Sequence, residues 1–202
     1  MHGEMYFSVD VEADGPIPGP YSMVSCGVSV AGIRNPDFTP IDPTRFTFYR
    51  ELRPISDEWD PAALAVSGLS RENLVDTGAD PALAMAELTD FIRTAARGAR
   101  PVLVAYPACY DWMFVYWYLI RFTGASIFGH SGCLDIKTLY AARADVRIGQ
   151  SVKRLMPRHL QSTREHTHNA LEDAVEQADL FANLMRWDGR GADGKPSTPV
   201  TG

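Results

Sequence analysis

Apolar and polar residues alternate from Met5 to Glu12 (MYFSVDVE), with Phe7, Val9 and Val11 on one side and Ser8, Asp10 and Glu12 on the other. That is the period of a strand with two unlike faces. The segments YSMVSCGVSVAG (21–32) and FTFYREL (46–52) continue as strands, which predicts an antiparallel meander of three. The pattern then becomes helical. Asp80 can cap a helix with Pro81 at its first position, running to about Arg97 on Leu83, Leu88, Phe91 and Ile92. A buried strand from Val102 to Tyr106 precedes a half-buried helix from about Asp111, a short strand near Cys133 to Ile136 and a helix through Leu139. The last helix carries Leu171, Ala174, Val175, Ala178, Phe181, Ala182 and Met185, a stripe that packs on a core. Strands first, then alternating helix and strand, predict an α/β fold with a mixed β-sheet flanked by α-helices.

Composition narrows this picture. A chain of 202 residues with 46% hydrophobic content can bury one sizeable core. No Pro/Gly-rich linker divides residues 1–187, which reads as one domain followed by a small, polar, flexible C-terminal tail at 188–202. The net charge of −6 argues against a surface that coats duplexes, which gain affinity by neutralising phosphates. It leaves open an enzyme that grips a strand end, because bound divalent cations can supply the positive charge. Cys26, Cys109 and Cys133 form no C-x-x-C pair, and no signal peptide opens the chain. Both features point to a reducing, cytoplasmic setting. Residues 101–120 are apolar but for Asp111. A membrane span would bury that carboxylate at about 2.5–3.5 kcal/mol, so a strand and a helix, with no membrane, explain the stretch better.

The candidate chemistry is acidic. Asp10 and Glu12, two apart on a strand, project together. Such a pair resists burial unless a cation sits between the charges, although an exposed strand face would carry the same letters. Asp111 follows a strand and opens an apolar helix. Its carboxylate suits either a helix start or the ligand site that α/β folds build at the carboxyl ends of strands. In His168-Asn169-Ala170-Leu171-Glu172-Asp173, Asn169 can cap a helix beginning at Ala170, with Glu172 approximating a capping box. Residues five apart differ by about 140° on a helix, so His168 meets Asp173 only from the loop before the cap. His166 competes with His168 at H-x-H spacing, which also hints at a metal pair.

Taken in order, D-x-E on the first strand, Asp111 at a strand-to-helix junction and H-x4-D at the last helix resemble the DEDDh 3′-5′ exonucleases, which share the ribonuclease-H-like fold. The resemblance covers about residues 5–187, and DPAALAVSGLSRENL (60–74) and LDIKTL (134–139) support it. It implies that Asp10, Glu12, Asp111 and Asp173 hold two Mg2+ or Mn2+ ions and that His168 is the general base. It also implies a single-stranded 3′ end of DNA or RNA as substrate, 5′-monophosphates as products, and Ala13 and Leu69 near the terminal nucleotide. Three departures stand out. Tyr106-Pro107-Ala108-Cys109-Tyr110-Asp111 replaces the family's usual His-Asn-Ala-x-Phe-Asp, Ser67 replaces the His of a His-Gly turn, and Ala13 replaces a hydroxyl or amide residue. Two other classes share these features: a metal-binding module that recruits nucleic acid without cutting it, and a hydrolase of small phosphoesters. No motif marks a dimer interface, and a homodimer stays open.

Overall fold

The computed structural model describes residues 3–189; most of the tail expected from Asp188 onward lies outside them. Its sheet is built from β1 (Glu4–Ala13), β2 (Met23–Arg34), β3 (Phe38–Pro40), β4 (Thr47–Glu51), β5 (Arg100–Ala105) and β6 (Cys133–Asp135). The strand order is β3-β2-β1-β5-β6, with β4 also pairing β2. The expected meander is present, and β3 adds a short strand on the far end of β2. β1 runs antiparallel to β2 and parallel to β5, and β5 runs parallel to β6, so the sheet is mixed.

Among the described residues six α-helices flank it: α1 (Pro61–Ser67), α2 (Arg71–Thr77), α3 (Pro81–Ala96), α4 (Ala108–Thr123), α5 (Ile136–Ala144) and α6 (Ala170–Arg186). The alternation in β1 separates two cores. Phe7, Val9 and Val11 pack with Met85, Leu88 and Ile92 of α3 and Phe114, Val115 and Leu119 of α4. Tyr6, on the opposite face, packs with Tyr140 of α5 and with Leu180, Phe181 and Leu184 of α6. Asp10 and Glu12 share Tyr6's parity and therefore face the α6 side.

α3 starts as its sequence predicts: the Asp80 carboxylate accepts the Ala82 and Leu83 N–H groups, and Pro81 occupies the first position. Leu83 was expected on its apolar stripe but is 58% exposed; the buried face instead runs through Ala84, Met85, Leu88, Ile92 and Ala96. α4 begins at Ala108 rather than near Asp111. Pro107 suits the residue before a helix, and the Asp135 carboxylate, which caps α5 through the Thr138 N–H at 2.6 Å, also accepts the Ala108 N–H at 2.7 Å. Asp111 is thus the fourth helical residue, and one carboxylate at the end of β6 anchors the starts of two helices.

Candidate active site

The site forms where β1 outruns its parallel neighbour. Pairing with β5 ends at Ser8–Val104, while pairing with β2 continues to Ala13–Met23. Beyond Ser8 the β1 edge needs another partner, and the Val11 N–H donates to Asp111 Oδ1 at 3.0 Å. Asp111 is thereby pinned beside Asp10 at the carboxyl ends of the strands, where open α/β sheets place their ligands.

From the other face comes α6. Gly27 is the register partner of Asp10, and a Cβ on it would lie 2.1 Å from the Ala170 carbonyl oxygen and 2.4 Å from the Leu171 nitrogen. Only glycine lets the helix start press so closely on β2. Asn169 caps that start, its Oδ1 accepting the Leu171 and Glu172 N–H groups at 3.0 and 3.2 Å. The capping box is only half made: Glu172 Oε2 takes the Thr167 hydroxyl at 2.7 Å, and the Asn169 N–H donates to Thr167 Oγ1. Asp173, fully buried in the first turns, accepts the Thr167 N–H at Oδ1 and the His168 N–H at Oδ2, both at 2.9 Å. His168 takes a φ of +58°, a left-handed conformation uncommon outside glycine.

The structure brings Asp10, Glu12 and Asp173 together, with one carboxylate oxygen of each within 4.8 Å of the others. His168 stands in the loop before the cap, and a ring nitrogen lies within that distance of donors on Asp173 and His166. His166 also reaches Asp173, its Nδ1 3.0 Å from Oδ1. Ala13 does not line this space with its side chain. It is 6% exposed and packs into the core on the α3/α4 side of the sheet. Leu69 is half-buried against Val24, Leu64 and Leu74, at the turn between α1 and α2.

Among proteins of known activity, the chain is similar to the 3′-5′ DNA exonuclease Cap18 of Escherichia coli. The two are 38% identical over 181 residues, 88% of this chain and 90% of that protein. The chain belongs to the DEDDh 3′-5′ exonuclease family. No family model matches it. The nuclease domain of 3′hExo, a DEDDh family member bound to rAMP, superposes with a TM-score of 0.65 at 14% identity, covering 99% of this chain and 96% of that one. E. coli exonuclease I in complex with a dA16 oligonucleotide superposes at 0.60 and 13% identity, over 92% of this chain but 41% of its own length. A 3′-exonuclease solved in recognition of a histone mRNA stem-loop gives 0.66 at 14% identity, over 92% of this chain and 64% of that one. These structures share the ribonuclease-H-like fold. As a member of the family, the chain is a metal-dependent 3′-5′ exonuclease.

The site of this DEDDh enzyme fits divalent metal by its own electrostatics. Burial holds the Asp10 carboxyl well above its usual range, and the charges of Asp111, Glu12 and Asp173 push it further. Burial, then Asp173, pushes Glu12 up to about 7. Burial also raises Asp111, partly offset by the Val11 N–H. Among the described residues, no lysine or arginine forms an ion pair with any of the four. A cluster of hard oxygens without a protein cation suits magnesium or manganese better than a softer ion. Asp14, by contrast, lies two residues beyond Glu12 and is excluded from the cluster: Arg71 pairs with it at 2.6 Å and the Ser22 N–H donates to it.

Gln177 was not singled out in the sequence, yet it completes the geometry. Its Nε2 donates to Asp10 Oδ1 at 2.6 Å while its Oε1 accepts the Tyr106 N–H at 2.8 Å, tying α6 to β1 and to the end of β5. The spacing held a signal, since residues four apart on a helix share a face, and Gln177 is four beyond Asp173.

Two predictions arise here. Gly27→Ala should force the α6 start off the sheet, costing about 1–3 kcal/mol of stability. Because the helix carries Asp173, the same shift should lower nuclease activity roughly 10²-fold. Thermal unfolding and a rate assay on one preparation check both; full activity would mean that the close approach does not position the site. The second concerns pH without metal. A carboxyl whose folded pKa is raised stabilises the protein below its unfolded pKa and loses that contribution as pH rises toward the folded value. For Glu12 the window runs from 4.5 to about 7. In EDTA, Tm should therefore fall across this window, and Mg2+ or Mn2+ should restore it most at the upper end. A stabilisation by metal that does not grow with pH would contradict the assignment.

Proposed function

We propose that this enzyme shortens single-stranded DNA from its 3′ end, releasing nucleoside 5′-monophosphates. The observation that carries the reading is the convergence of Asp10, Glu12 and Asp173 within 4.8 Å, with Asp111 held against Val11 and His168 at the α6 cap. DNA is favoured by the similarity to the E. coli 3′-5′ DNA exonuclease. A single-stranded end is favoured by the net charge of −6, which offers little to a duplex backbone.

Asp10, Glu12, Asp111 and Asp173 would hold two Mg2+ or Mn2+ ions, which when bound stabilise charge on the phosphate and acidify a water. His168 accepts the proton of the water that attacks the terminal phosphodiester. A P–O bond forms, the bond to the 3′ oxygen of the penultimate nucleotide breaks, and that oxygen is protonated. Gln177 keeps Asp10 in place throughout, and the paired N–H groups of Thr167 and His168 orient Asp173. Leu69 and the main chain near Glu12 and Ala13 would meet the terminal nucleotide.

The test uses 5′-labelled single-stranded DNA and RNA, with Mg2+ or Mn2+ and with EDTA. A ladder shortening from the 3′ end, faster on DNA and absent in EDTA, is expected. Degradation from the 5′ end, or cutting of a circular single strand, would overturn the reading.

A further inference from the structure

We propose that His166, His168 and Asp173 form a second, softer metal site that takes zinc and, when filled, silences the nuclease. The silencing rests on the roles proposed above for His168 and Asp173; the binding does not. One donor atom from each residue lies within 4.8 Å of the other two. His166 Nδ1 and Asp173 Oδ1 are 3.0 Å apart, close to the ~3.3 Å edge of a tetrahedron with ligands 2.0–2.1 Å from a zinc ion. The two imidazole rings meet edge to face with centroids 4.5 Å apart, and one nitrogen of each belongs to the group of donors within 4.8 Å. His166 is 46% exposed, which leaves an entry path, while Asp173 is buried and fixed by two backbone N–H groups.

Two imidazoles and one carboxylate, with a fourth position for water, are a donor set that zinc accepts and magnesium does not prefer. Asp173 belongs to both sets. The Asp173 carboxylate is therefore shared between the oxygen trio with Asp10 and Glu12 and the pair of histidines. A zinc ion held by the two histidines would tie up the His168 imidazole, which must take a proton, and would compete for Asp173. Magnesium in excess should not displace it, because the histidines give the hard ion nothing.

The test compares the full chain with His166→Asn, which retains a donor toward Asp173 and leaves all four clustered carboxylates and His168 intact. Zinc binding is measured on metal-free protein by competition with a chromophoric chelator, and inhibition on enzyme supplied with Mg2+. Wild type should bind one zinc and be inhibited by it at concentrations far below those of Mg2+. His166→Asn should keep its activity in Mg2+, bind zinc at least tenfold more weakly and need at least tenfold more for half inhibition. Equal zinc affinity in both proteins would overturn the site, and tight zinc binding without inhibition would overturn the silencing. A failure of the catalytic reading shows separately, as a His168→Ala protein that remains active in Mg2+ with no zinc present.

Discussion

Asp10→Ala should lose at least about 10³-fold in exonuclease rate, more than the 10²–10³ that follows removal of a single hydrogen-bond donor to a transition-state charge. The reason is its position. Asp10 feels the charges of Asp111, Glu12 and Asp173 at once, and it alone receives the Gln177 amide. Any cation that relieves the cluster must neutralise Asp10 first. The same substitution should remove most of the thermal stabilisation given by Mn2+. In wild type, ion at one hundred times its Kd adds about 2.7 kcal/mol, or roughly 5–10 °C in Tm for a domain of this size. The metal-free variant should not be less stable for lack of its charge, since the deleted carboxylate was repelled by three others, although Gln177 loses a partner. Undiminished cleavage, or an unchanged metal-induced rise in Tm, would sink the proposed role of Asp10.

How far such a site can be read from letters depends on the distance over which each determinant acts. Local determinants were plain. The alternation through Phe7, Val9 and Val11 placed Asp10 and Glu12 on one face, and Asp80-Pro81 and Asn169 each marked the start of a helix that the structure contains. The same parity argument, carried one residue further, would have sent the Ala13 side chain into the α3/α4 core instead of toward a substrate. Gly27 was silent because its meaning lies in the backbone of Ala170 pressed against it, a contact between distant parts of the chain. Likewise, Asp14 looks like a third acidic residue after Asp10 and Glu12, and only the fold brings Arg71 to neutralise it. Asp111 was legible as a candidate from its junction between β5 and α4. Its hold on Val11 was not, because that bond exists only where β5 stops short of β1.

His168→Ala should be nearly inactive, falling about 10²–10⁴-fold as expected for removal of a general base, while still gaining stability from Mn2+. The separation is possible because the side chain and the backbone of His168 do different things. Its N–H, present in any residue but proline, fixes Asp173 Oδ2, so alanine keeps that bond and the four carboxylates keep their places. The left-handed φ of +58° adds some strain in alanine, and a His168→Asn variant, whose residue type tolerates that conformation better, controls for it. Both variants should be equally slow if the imidazole is what matters. His166 supplies the contrast. It contacts Asp173 only through a ring nitrogen, and Asp173 retains the Thr167 and His168 N–H groups without it, so His166→Asn should keep most of the wild-type rate. Rates on a 5′-labelled strand, with Mn2+-induced Tm shifts on the same proteins, decide the matter. An inactive His166→Asn beside an active His168→Ala would exchange the two roles, making His166 the base and His168 the residue that merely holds the loop.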